Sequence, residues 1–159
     1  MLILGIDPGT AIVGYGVIKG SRKKPTLVDY GCITTSKELS PAQRLRIIHN
    51  KTVSLIRKHK PSVLAIERLF FNRNVKTATA VGRAAGVIML AAAKAEVPVF
   101  EYMPLQVKMR IDGYGRASKK KIQERVGKIL NLKRVPKPDD AADALAIAIC
   151  HLKTICGKL

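Results

Sequence analysis

"LILGIDPGTAIVGYGVIK" spans residues 2–19, and the order of residue types along it decides what kind of sheet the chain builds. Leu2 to Ile6 form a short apolar run that reads as a buried strand; Asp7 ends it and Pro8-Gly9 turn the chain. Residues 12–19 mix β-branched and aromatic side chains with glycines, which predicts a second strand that bends or lets another backbone come close. After the basic turn "GSRKKP" (20–25), "TLVDYGCITT" (26–35) supplies a third strand, completing an antiparallel meander. An acid therefore sits where a buried strand runs out, although a chain this basic could place it anywhere on its surface.

Beyond the meander the period changes. Ser40 is placed as an N-cap with Pro41 at the first helical position, and Leu45, Ile48, Val53, Leu55 and Ile56 recur at helical spacing until Pro61. "SVLAIE" (62–67) reads as a fourth strand, again ending in a carboxylate. A polar, basic loop follows, then an Ala-rich helix from about Val75, and a fifth strand, "PVFEY" (98–102). "PLQVKMRI" (104–111) starts a short helix, "DGYGRAS" (112–118) is a Gly-rich loop, and Ser118 caps "KKKIQERVGKIL". The basic linker "NLKRVPKP" leads to the last helix, "DDAADALAIAICHLK". Hairpin-linked strands followed by strand–helix alternation predict an α/β fold: a five-stranded mixed sheet flanked by helices, in one domain over 1–159.

The hydrophobic share, 47%, is normal for a globule. The nearest approach to a membrane span, "VGRAAGVIMLAAAKAEV", is interrupted by Arg83 and Lys94, so no membrane association is expected. The apolar start reads as a strand rather than an export signal, which makes the cytoplasm the expected compartment. Cys32, Cys150 and Cys156 lack disulfide or zinc-ribbon spacing and read as reduced structural thiols; His151 beside Cys150 makes no metal site by itself.

Charge is the first strong signal. Twenty-nine Lys and Arg against 11 Asp and Glu give +18, a self-repelling balance that a polyanion would relieve. A solvated basic surface is the plain reading; a nucleic acid held through its phosphates is the sharper one. Aromatic residues are only 4% and Trp is absent, so backbone contact rather than base stacking should dominate.

With so few acids, their placement carries information. Asp29, Glu38, Glu96, Glu101 and Glu124 sit in ordinary surface contexts, whereas Asp7 and Glu67 each end an apolar strand, where α/β sheets collect ligands. Asp140 and Asp143, three residues apart, share a helix face among small residues that allow that helix close to the sheet. Taken singly, Asp7 also suits an Asp-Pro-Gly turn and Asp140 a helix N-terminus. Should the four converge, each pKa rises unless a cation is bound. Carboxylate oxygens suit hard divalent ions, and two such ions about 4 Å apart can activate water and stabilise a leaving oxygen in phosphodiester hydrolysis. Acids for metal inside a basic field for nucleic acid describe a nuclease.

"GIDPGT…GYGVI", "IERLFFNRN", "VFEYMPLQVK", "GYGRASK" and "DAADALAIAICH", in this order and over nearly the whole chain, resemble the RuvC-type Holliday-junction endonucleases. The resemblance implies an RNase H-like fold and a homodimer that cuts four-way DNA junctions by paired symmetric nicks. It implies Mg²⁺, two ions per site with Mn²⁺ as a substitute, held by Asp7, Glu67, Asp140 and Asp143; Asp139 competes with Asp140 for its place, the "DAAD" register favouring Asp140 and offering Asp139 a helix-capping role. Phe70 matches a family aromatic that acts on bases at the junction, although core packing by Phe70 or Phe71 is the plainer role. Lys108 and Lys119 match basic positions tied to DNA contact and catalysis. Arg68, Arg73 and Lys76 are placed along the DNA path. Gly82 and Gly86 allow a close helix contact, either a dimer seam or packing on the sheet. Branch-migration partners of the RuvA and RuvB type belong to the same resemblance.

Three rivals remain in view. An actin-like ATPase shares an Asp-x-Gly-Thr loop but needs a second half that 159 residues cannot supply. The short RNase H-like YqgF-type proteins begin alike, but "FEYMPLQVK" and "DAADALAIAICH" favour the resolvase. An architectural junction binder would have no reason to keep four acids at the matching positions.

Overall fold

The structure is a computed structural model that describes residues 1–69 and 74–155. Phe70, Arg73 and Cys156, singled out above, lie outside the described residues. The chain runs β1 (Leu2–Asp7), β2 (Ile12–Ser21), β3 (Lys24–Thr34), α1 (Pro41–His59), β4 (Val63–Glu67), α2 (Val75–Lys94), β5 (Val99–Tyr102), α3 (Pro104–Asp112), α4 (Lys119–Ile129) and α5 (Asp139–Ile155). The sheet order is β3-β2-β1-β4-β5. β1 pairs antiparallel with β2 on one side and parallel with β4 on the other, and β4 is parallel to β5. This is the mixed α/β sheet that the meander and the later alternation predict.

One expectation fails at the second hairpin. The turn placed over residues 20–25 shrinks to Arg22 and Lys23, because Ser21 and Lys24 pair and Gly20 and Pro25 continue the ladder. The polar residues there belong to exposed strand ends, and Gly20, at φ 120°, takes the backbone conformation that lets the edge curl. A second correction concerns α2, which by length and composition is apolar enough to cross a membrane despite Arg83 and Lys94. It lies against the sheet and α1 with one face, burying Ala84, Ala85, Ile88, Ala91 and Ala92, while the opposite face is exposed.

Strand alternation sorts the two layers. Leu4 and Ile6 of β1 point into the core under α1 and α2, while Ile3 points into the core under α3, α4 and α5. Gly5 and Asp7 share the parity of Ile3 and therefore face α5. At Gly5 an added Cβ would strike the carbonyl of Ala144, and at Gly14, opposite Asp7, that of Asp140. The backbone of α5 lies directly on the sheet, with Ala141, Ala142, Ala144, Leu145, Ala146, Ile147, Ala148 and Ile149 buried along it.

The helix starts follow the predicted chemistry. Ser40 caps α1 in a reciprocal box with Gln43, and Ser118 accepts the Lys121 N–H at 3.2 Å to start α4. α1 stops one residue before Pro61, at Lys60, whose left-handed conformation (φ 49°) sends its N–H to Ile56 O. Asp29 proves more than a surface acid: Lys58 and His59 bind its carboxylate at 2.8 and 2.9 Å, tying the end of α1 to β3.

Candidate active site

Asp7 and Glu67 are the last residues of β1 and β4, neighbouring parallel strands paired in register through Ile6 and Ile66. Both side chains thus leave the sheet at one edge, the position where open α/β sheets bind ligands. Asp143, one turn into α5, comes down on the same edge because the glycines beneath let the helix settle. These three acids line a cleft of about 240 Å³ together with Lys108 of α3 and Lys119 of α4, over an apolar floor of Val107, Ile122, Ala146 and Ile147.

The cleft is under electrostatic strain. Burial pushes the Asp7 carboxyl up to about 8, with the charges of Glu67, Asp143 and Asp140 adding to the rise and Lys119 opposing it. Burial and then Asp143 raise Glu67, against Lys119 and Lys108. Lys119 Nζ stands 2.8 Å from Asp143 Oδ2, and that hydrogen bond holds the ammonium above the usual lysine range. The acids feel one another's charge and are only partly compensated by lysine.

Asp140 behaves differently from the other three. It does not line the cleft; its charge reaches Asp7 and the Cys32 thiol from the side of β2 and β3. Asp139 pairs with Lys137 at 2.9 Å and does not line the cleft, although its charge reaches Lys119. Among the described residues, no three His, Cys, Asp or Glu side chains gather into a ready set of metal donors. The convergence expected from sequence is thus of three acids around one cleft with the fourth at its rim.

The basic residues divide as well. Lys108 and Lys119 are at the cleft, on helices held together by Asp112, which receives Lys121 and Arg125 at 2.9 Å each. That clamp escapes a sequence reading because Lys121 and Arg125 look like any solvated basic run. Arg68 is exposed just past β4, where its N–H bonds Tyr102 O at 2.8 Å. Lys76 lies on the other face of the sheet, exposed in the first turn of α2.

Comparison with known proteins identifies the chain's family. The family model for the crossover junction endodeoxyribonuclease RuvC matches residues 3–151. The enzyme of that name from Halothermothrix orenii is 54% identical over 151 residues, which cover 95% of this chain and 92% of the relative. The structure of Thermus thermophilus RuvC in complex with a Holliday junction substrate superposes with a TM-score of 0.93 at 36% identity, over 98% of this chain and 94% of that one. The yeast mitochondrial Holliday junction resolvase Ydc2 reaches a TM-score of 0.69 at 15% identity, over 95% of this chain and 77% of that one, a likeness of fold alone. The mixed sheet is the RNase H-like architecture, and the chain belongs to the RuvC family of crossover junction endodeoxyribonucleases.

Proposed function

We propose that the cleft between β1, β4 and α5 is the catalytic centre of a nuclease that resolves four-way DNA junctions by paired symmetric nicks. The observation that carries this reading is Asp7, buried at a strand end among like charges and pushed up to about 8. Natural chains keep such unfavourable clusters where the strain serves a function. An all-oxygen donor set suits a hard divalent ion, which the family generally requires; Mg²⁺, two per site, with Mn²⁺ as a substitute, is the finer form of the proposal. Asp7, Glu67 and Asp143, joined by Asp140 from the rim, would hold it. When bound, the metal supplies an acidified water and draws charge from the phosphate.

The chain's own groups do the rest. Lys108 and Lys119 present ammonium groups to the scissile phosphate at the cleft wall. The Val107, Ile122, Ala146 and Ile147 floor lowers the polarity beneath the acids and so strengthens the charge interactions there. Phe70 is proposed to act on bases at the junction, and Arg68, Arg73 and Lys76 to line the DNA path. The enzyme works in the cytoplasm, with RuvA and RuvB as its branch-migration partners.

The deciding experiment offers labelled four-way junction, duplex and RNA–DNA hybrid to the protein with and without Mg²⁺. Symmetric nicks confined to the junction and requiring the metal are expected. Hybrid cleavage would point instead to a ribonuclease, and binding without nicks to an architectural protein.

Two symmetric cuts call for two sites related by a two-fold axis, hence a homodimer, with a formal charge of +36. The outer face of α2 is proposed as the seam: Gly86, Leu90 and Ala93 are exposed there, and a Cβ added at Gly86 meets nothing within 4 Å. In a monomer, Gly86→Ala should stabilise the helix by roughly 0.5–1 kcal/mol. At a close seam the same methyl pushes two helices apart, so dimer dissociation measured by sedimentation should become about ten-fold or more easier. Unchanged association with a higher melting temperature would remove α2 from the interface.

A further inference from the structure

On the opposite face of the sheet from the acids, α1 and α2 begin side by side and leave a groove of about 380 Å³. Pro41, Arg44, Leu45 and Ile48 of α1 form one wall, and Lys76, Thr79, Ala80 and Arg83 of α2 form the other. Thr10 closes the end. Both helices present a single face at i, i+3, i+4, i+7 spacing, so the three basic residues are aimed together by the helical repeat. Neither helix has an acid in its first turn, the usual place for one, so their positive ends add to the field of Arg44, Lys76 and Arg83. Among the described residues none of the three has a carboxylate partner.

Arg44 is not a loose surface side chain. Its Nε donates to Thr35 Oγ1 at 2.8 Å, and Thr35 Oγ1 in turn donates to the carbonyl of Thr10. The Thr35 N–H also bonds Ala11 O at 2.9 Å. The guanidinium is therefore fixed to the turn that starts at Asp7. Asp7 and Thr10 are three residues apart, so the acid at the end of β1 and the residue that closes the groove are joined by one short turn.

Building on the reading of the cleft as a DNA-cutting site, we propose that this groove is a second phosphate-binding site, holding the DNA backbone away from the scissile bond. Arg44 is the fixed contact, and Lys76 and Arg83 complete a positive trough. Its field is long-range, but its geometry is set by the same hydrogen-bonded turn that carries Asp7.

The test is the salt dependence of binding to a labelled four-way junction without divalent metal, with nicking measured separately on the same preparations. Each phosphate contact contributes about 0.9 to the slope of log K against log salt. Arg44→Gln should flatten the slope by about that amount, and Arg44→Gln with Lys76→Gln by about twice it, weakening binding roughly ten-fold or more near 0.1 M salt. Arg44→Lys keeps the charge and should keep the slope; Lys23→Gln with Lys24→Gln, on the β2–β3 hairpin, should leave it unchanged. A wild-type slope in Arg44→Gln overturns the proposal and leaves the groove to an acidic protein partner. Equal loss in Arg44→Lys and Arg44→Gln also overturns it, because the residue then only fastens the turn. Nicking by the wild type is read independently: junctions left uncut would sink the nuclease reading, while a flattened slope would still establish the groove.

Discussion

Asp7→Asn is expected to abolish junction cutting and, in the metal-free protein, to raise the melting temperature. The sign follows from the carboxyl's displacement from 3.8 to about 8. A folded-state pKa above the unfolded one means that the folded chain binds this proton more tightly. Its stabilising contribution is complete below about 4 and is lost as pH climbs from there through 8. Above that, folding forces an ionised Asp7 beside Glu67, Asp143 and Asp140, at a cost of a few kcal/mol. Asparagine carries no such penalty. With a chelator present, the variant should match wild type near pH 4 and melt about 5–10 °C higher at pH 9. Adding Mg²⁺ should reverse the order, since a ligand bound only by the folded state stabilises in proportion to its occupancy. Cutting should fall at least about 10³-fold while junction binding persists, a loss suited to removing a group that acts in the transition state. A lower melting temperature for Asp7→Asn at pH 9 would restore the plainer reading, that Asp7 only shapes the Pro8-Gly9 turn.

Much of this site is legible in sequence because its placement rests on local rules. Asp7 and Glu67 end short apolar runs of strand length, bounded by turn signals or a basic loop, which reads as a buried strand reaching an edge. The small residues around Asp143 and the glycines of β2 announce a helix lying close on a sheet, and the contacts of Gly14 and Gly16 with α5 are that approach. What sequence does not resolve depends on rotation and on partners far away. Asp140 and Asp143 are three residues apart, which leaves them about 60° apart around the helix; once α5 is pressed onto β1 and β2, that angle turns one into the cleft and the other to its rim. The turn at 20–25 looks like a loop because an exposed strand end needs no apolar residues. The placement of Arg44 depends on Thr35 and Thr10, in two loops outside α1, and no spacing along α1 announces it.

Gly14→Ala should be the most damaging substitution that leaves every charged group in place. Its Cβ would enter the space held by the backbone carbonyl of Asp140, and a backbone atom in a buried helix cannot swing aside as a side chain can. Gly14 pairs with Asp7 across β1 and β2, so the methyl acts as a wedge between Asp7 and the first turn of α5. Overpacking of this kind costs roughly 1–3 kcal/mol or more, a fall in melting temperature of about 3–10 °C for a domain of this size. The catalytic cost should be out of proportion to the loss of stability. Displacing Asp140 and Asp143 by about 1 Å relative to Asp7 should slow cutting by about 10²-fold at temperatures where the protein is fully folded, with junction binding nearly intact because the basic surfaces do not move. Gly16→Ala is the milder comparison: its Cβ meets the Leu145 side chain first and the Leu145 backbone nitrogen only at 2.9 Å, so it should destabilise less than Gly14→Ala and slow cutting less. Gly5→Ala strikes the carbonyl of Ala144, next in the chain to Asp143, so it should lower both stability and cutting. If Gly14→Ala melts early yet cuts at the wild-type rate, the seating of α5 on β1 and β2 does not set the geometry of the acids, and their spacing must be established by whatever binds between them.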